Sequence, residues 1–140
     1  MSFKFENLEI WKLSIDPANE IHLLTRGFPK EEMFSLTSQI KRAADSISLN
    51  IAEGSTGQSD AEQVKFIGYA QRSAIEVVNC LHLAIKRNYI DKIQFDRFYK
   101  NMERLIIKIQ AFKNAIKINN DHKRPMTNHR SRFMSGWHMI

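Results

Sequence analysis

Apolar residues recur at steps of three and four through most of this chain, the period of helices that bury one side. The pattern is densest in Gln39–Gly54, QIKRAADSISLNIAEG, where Ile40, Ala43, Ala44, Ile47 and Ile51 form the apolar stripe. Beside it Gln39, Arg42, Ser46, Asn50 and Glu53 recur at the same steps as a polar stripe. Ser and Asn are mediocre helix formers, and a helix face open to water more often carries Lys and Glu. The polar stripe is therefore expected to meet another helix or another subunit. Gly54 is expected just past the helix end, where a residue without a Cβ is favoured.

Three more helices flank this one. The first is expected over Leu8–Thr25, with Leu8, Trp11, Ile15, Ala18, Ile21, His22 and Thr25 on one side. Pro17 removes a backbone donor inside it, which predicts a kink near Ser14–Asp16 or a break capped by Asp16. Gly27-Phe28-Pro29 turns the chain, and a second helix is expected from Lys30 through the central stretch to Gly54, with Glu31 and Glu32 in its first turn. Ser59-Asp60-Ala61-Glu62 reads as a capping box opening a third helix that reaches about Arg87. Its buried side carries Phe66, Ala70, Ser73, Ala74, Val77, Leu81, Ala84 and Ile85.

Asp91 is a plausible cap for the fourth helix. Phe98, Met102, Leu105, Ile109, Phe112 and Ile116 make a heptad-like seam in it. Arg97, Lys100, Arg104 and Lys108 fall on one flank of that seam, and Ile107 points away from it. Periodicity stops after Ile118. Residues 119–140 are expected to be a basic, disordered tail behind a bundle over 1–118.

Four helices on short links imply an all-α, antiparallel up-down-up-down four-helix bundle. The expected core is Leu8, Trp11, Ile40, Ala44, Ile47, Ile51, Ala70, Val77, Leu81, Phe98, Leu105, Ile109 and Phe112. With 140 residues the chain is one domain, and 43% hydrophobic content is ample for its core. A lone cysteine, Cys80, rules out a disulfide framework. The N-terminus has early acids and no long apolar run, so a cytoplasmic protein with no membrane segment is expected.

Charge is unevenly placed. Residues 1–60 hold six Lys/Arg against nine Asp/Glu, a balance of −3, whereas residues 61–116 hold ten against five, a balance of +5. From Lys117 onward there are five against one. An acidic front and a basic back point to an anionic partner or to head-to-tail self-association.

Catalytic chemistry finds no foothold. Di-metal bundles use Glu-x-x-His, but Asn19 and Asn79 stand three residues before His22 and His82. Cys80 lies on the buried side, where a thiol behaves as a small inert hydrophobe. Ser73 and Glu76 form a polar pair with no second acid–base group to complete it, so a structural bond from Glu76 to Arg42 is expected instead. No enzyme activity, cofactor or metal is expected. The flank Arg97, Lys100, Arg104 and Lys108, helped by Arg72, Lys86 and Arg87, has the spacing to track phosphates of RNA or DNA.

These residues resemble a known family, the small four-helix-bundle proteins encoded in intervening sequences of bacterial 23S rRNA genes. The likeness rests on Leu8-Glu9-Ile10-Trp11, on Phe28-Pro29-Lys30-Glu31-Glu32 and above all on Gln39–Gly54, supported by Ser73 with Glu76 and by Asn88-Tyr89-Ile90. The resemblance implies an antiparallel bundle that assembles as a homopentameric ring without known catalysis. A more distant likeness is to the accessory variability protein of diversity-generating retroelements, a basic pentamer that binds nucleic acid and a reverse transcriptase. The chain departs from the family pattern at Arg72, where a glycine usually precedes the serine, and in its tail. The expected subunit interface comprises Gln39, Arg42, Ser46, Asn50, Glu53, Ser73, Glu76 and Ile107. A protein-interaction scaffold without nucleic-acid binding is the alternative.

Overall fold

The computed structural model describes residues 1–57 and 59–121, with side chains as far as Ile116. Four helices carry the fold: α1 (Glu9–Leu24), α2 (Leu36–Gly54), α3 (Asp60–Lys86) and α4 (Lys92–Asp121). Each packs on the next, and α4 returns to α1, closing an antiparallel bundle with α1–α3 and α2–α4 on its diagonals. The α2–α3 seam is the most extensive and the α4–α1 seam the thinnest. Among the described residues no helix is long and apolar enough to cross a membrane.

The apolar stripes meet as their spacing requires. Ile40, Ala44, Ile47 and Ile51 of α2 are buried with Ala70, Val77 and Leu81 of α3 and Phe98, Leu105 and Ile109 of α4. Leu8, Trp11 and Phe112 are only partly buried at the edge of this core. On α1 the inward face is Ile10, Ser14, Ala18 and Ile21, and Ile15 is left exposed. Pro17 sits inside an uninterrupted helix, and no second cap forms at Asp16. Leu8 caps α1 from outside instead of joining it.

The second helix does not start at Lys30. A 3-10 turn at Lys30–Glu32 is followed by Ser35 in a non-helical conformation (φ −123°, ψ −101°), and α2 begins at Leu36. The cause is Glu32, whose Oε1 accepts from the Ser35 hydroxyl at 2.6 Å and from the Leu36 amide at 3.4 Å. A side chain expected to face the helix dipole thus folds back to satisfy the first donors of the next helix.

Other boundaries follow local chemistry. Ser59 Oγ accepts from the Glu62 amide at 3.1 Å. Asp91 and Gln94 exchange side-chain and backbone bonds at 2.7 and 3.0 Å, a reciprocal cap that opens α4. Asn88, in the left-handed conformation (φ 61°), ends α3, with the Asn88 and Tyr89 amides donating to the carbonyls of Ile85 and Ala84. Gly54 is the last residue of α2 and not a left-handed cap. A Cβ there would lie 3.0 Å from Phe66 Cβ, so the glycine serves the close approach of α2 to α3. α4 continues through Asn119 and Asn120 to Asp121 because these residues weaken a helix without blocking it, as proline would. The expected tail otherwise lies outside the described residues.

Candidate assembly and nucleic-acid faces

The outward side of α2 and the turn before it border a concavity with exposed apolar side chains. Phe34 is 91% exposed, Leu49 58% and Met33 50%, and together with His22, Lys41 and Asp45 they line a shallow groove of about 530 Å³. Leu49 stands about half a turn from the buried stripe, so helix geometry alone sends it outward. Phe34 is displayed by the turn that Glu32 pins. The Glu32 carboxylate also receives the Tyr89 phenol at 2.8 Å and Arg87 Nη1 at 3.0 Å. These donors, Ser35 first, hold its carboxyl down at about 2. His22, expected to face the core, instead reaches both oxygens of Asp45 at 2.9 Å across the α1–α2 seam.

The polar stripe of α2 lies on the shoulder toward α3. Gly54 packs beside Gln63 and Phe66, and the antiparallel register carried from there puts Ser46 level with Ser73 and Arg42 level with Glu76. Gln39, Ser46, Asn50 and Ser73 are half-buried; Arg42, Glu53 and Glu76 are exposed. Arg42 and Ser46 also line the groove. Asn50 Nδ2 donates to its own helix, to the Ser46 carbonyl at 2.8 Å. The expected bond from Glu76 to Arg42 does not form; both side chains stay in solvent on either side of the seam. No helix of the same subunit covers this shoulder completely.

The cationic flank of α4 turns out to overlook α1. Lys108 Nζ meets Glu9 Oε1 at 2.8 Å and lowers the Glu9 carboxyl, while Arg97 Nη1 lies 3.8 Å from Glu20 Oε1 and stacks over Phe98. Arg87 is held by Glu32. Lys86, Lys100 and Arg104 are exposed and make no ion pair among the described residues, and Arg72 rests over the Tyr69 ring with 5.9 Å to its centroid. Ile107 is 63% exposed on the outward line of α4. The structure therefore splits the predicted stripe into cations that clamp α1 and cations that face water.

The Cys80 thiol is fully buried, and desolvation pushes it up to about 11, which suppresses the thiolate a nucleophile needs. Among the described residues no three His, Cys, Asp or Glu side chains gather as metal ligands.

The 23S rRNA-intervening sequence protein family matches residues 6–111, which covers all of the helical core described above except the end of α4. The chain belongs to that family. Its fold is similar to the crystal structure of a protein of unknown function from the S23 ribosomal protein family of Bacteroides thetaiotaomicron VPI-5482. That likeness has a TM-score of 0.69 at 24% identity and covers 74% of this chain and 97% of that one. No functionally curated protein matches the chain.

Met33, Phe34 and Leu49 were not among the interface residues expected from sequence. The first two lie in a stretch expected to be helical from Lys30 but folded as a turn, which changes where they point, whereas Leu49 was detectable as the apolar residue opposite the buried stripe. Glu32 was read only as a first-turn acid, because its partners Arg87 and Tyr89 lie more than fifty residues away.

Proposed function

We propose that this chain is a non-enzymatic, cytoplasmic bundle that self-assembles into a homo-oligomer, a ring of five as its family resemblance implies. The observation that carries the reading is the groove at Met33, Phe34 and Leu49. A phenylalanine with 91% exposure, displayed by a turn that a buried carboxylate pins, is an unfavourable surface for a lone soluble subunit. The half-buried polar stripe at Gln39, Ser46 and Asn50 extends that face toward α3. Light scattering on the purified chain tests the proposal: the expected mass is about five times the 16.4 kDa of one chain. A monomer at micromolar concentration refutes it.

Nucleic-acid binding is the second reading, favoured by the exposed cations that make no ion pair among the described residues, Lys86, Lys100 and Arg104, with Arg72 beside Tyr69. Assembly multiplies such a set around one particle. Binding of single-stranded RNA or DNA should then weaken steeply with salt, and neutralising Lys100 and Arg104 should reduce the slope of log affinity against log salt by about two. No binding at low salt leaves the assembly as a scaffold for a protein partner.

A further inference from the structure

Along the thin seam between α1 and α4 lies a cavity of about 210 Å³, smaller than the roughly 300 Å³ at which sites for drug-sized ligands begin. Two charged contacts bracket it. Lys108 meets Glu9 toward one end, and Arg97 approaches Glu20 toward the other. Both contacts fit one antiparallel register, since each step forward on α1 is matched by one step back on α4. In that register Arg104 stands level with Leu13, Asn101 with Asp16 and Leu105 with Lys12, and all six line the cavity.

The lining is part hydrocarbon and part charge. Leu105 is buried and Leu13 partly so, and with Pro17 they give the cavity an apolar wall. Lys12 and Arg104 place two cations near the level of Leu13, and the Asp16 carboxylate follows about 5 Å further along α1, with Glu20 a turn beyond it. Lys12, Asp16 and Arg104 are exposed and make no ion pair among the described residues, although Arg104 adds a weaker pull on the Glu9 carboxyl. Pro17 contributes through what it lacks. Having no N–H, it leaves the Leu13 carbonyl without the donor four residues on, inside a helix that is otherwise unbroken. That oxygen points along the helix toward Pro17, on the side of the carboxylates.

We infer that this cavity binds a small zwitterion whose amino group and carboxylate are separated by a short methylene chain, a short ω-amino acid. Lys12 and Arg104 take the carboxylate. Asp16 takes the ammonium, with the Leu13 carbonyl and the Asn101 side-chain oxygen as further acceptors. The methylenes lie against Leu13, Pro17 and Leu105. A ligand with one charge leaves either the cations or the carboxylates unmatched, and a bulky one exceeds the volume. The α1–α4 seam is on the opposite side of the bundle from the α2–α3 shoulder, so this site stands apart from the assembly reading.

Saturation-transfer NMR on the full chain tests the site, with γ-aminobutyrate as the probe and butyrate and butylamine as singly charged controls. Transfer to the probe methylenes is expected at about 10 mM, the range in which a weak small ligand is seen, and much less to either control. Asp16→Asn and Lys12→Gln are changes at exposed positions, so circular dichroism should be unchanged. In a titration each should weaken γ-aminobutyrate by about tenfold, the loss of one charge-assisted contact, whereas Lys65→Gln on the outer side of α3 should leave it as it was. Absence of transfer to γ-aminobutyrate overturns the site. Equal transfer to butyrate or butylamine overturns the zwitterion, and equal weakening by Lys65→Gln overturns the placement between α1 and α4.

Discussion

The phenol of Tyr89 donates to Glu32 Oε2 at 2.8 Å, and through that bond the turn before α2 is tied to the turn after α3. Arg87, Ser35 and the Leu36 amide share the same carboxylate. One acid therefore organises one whole end of the bundle and sets the height of Phe34.

Glu32 gives a pH signature. Its carboxyl is lowered from 4.5 to about 2, chiefly by the Ser35 and Tyr89 hydroxyls. A depressed carboxylate contributes stability that is fully present above the unfolded value and is lost as pH falls through the folded one. The gap in melting temperature between wild type and Glu32→Gln should thus be constant above about pH 5 and shrink between about pH 4.5 and pH 2. A gap that does not change across that window contradicts the assignment.

Asn88 holds φ 61° at the end of α3. Asn88→Gly should be neutral or stabilising, whereas Asn88→Val should lose about 1–2 kcal/mol in urea denaturation, because a β-branched residue resists the left-handed region.

Gly54→Ala should destabilise by about 1–3 kcal/mol, since the new Cβ meets Phe66 Cβ at 3.0 Å and neither helix can yield without opening the α2–α3 seam. The same substitution at Gly27, which has nothing within 4 Å, is the control and should cost little.

Leucines on the two sides of the bundle should separate folding from assembly. Leu81→Ala empties a fully buried site and should cost about 2–5 kcal/mol. Leu49→Ala should stay within about 0.5 kcal/mol in the unfolding of the subunit yet lower the particle mass seen by light scattering.

Gln71 is fully buried between α3 and α4, donating to Gln110 and accepting from Lys113 Nζ at 3.1 Å. Gln71→Leu removes one acceptor from a buried ammonium and one donor from Gln110, so a loss of about 1–3 kcal/mol is expected in chemical denaturation. Restoring an amide partner with Gln71→Asn should recover little, because the shorter side chain does not span to α4.

How far the sequence alone reached is clearest along α2. Ile40, Ala44, Ile47 and Ile51 announced their burial through spacing, because a helix of fixed pitch converts sequence distance into direction. The same rule placed the seam of α4, and side-chain chemistry marked Asp91 as its cap, though not the reciprocal bond to Gln94 Oε1. Periodicity failed at Lys30–Ser35, where the expected helix gives way to a turn, and it carried no record of the partners of Arg97 and Lys108, Glu20 and Glu9 on α1. Those outcomes depend on which helices become neighbours.

By itself the sequence determined four helices, the inward faces of α2 and α4 and the antiparallel order that short links enforce, since all three follow from local geometry and apolar burial. Only the tertiary structure decided where α2 begins, which cations are occupied, and that Phe34 and Leu49 share one groove. Each of these joins groups far apart in the chain, and no periodicity records a contact made by a single long-range side chain.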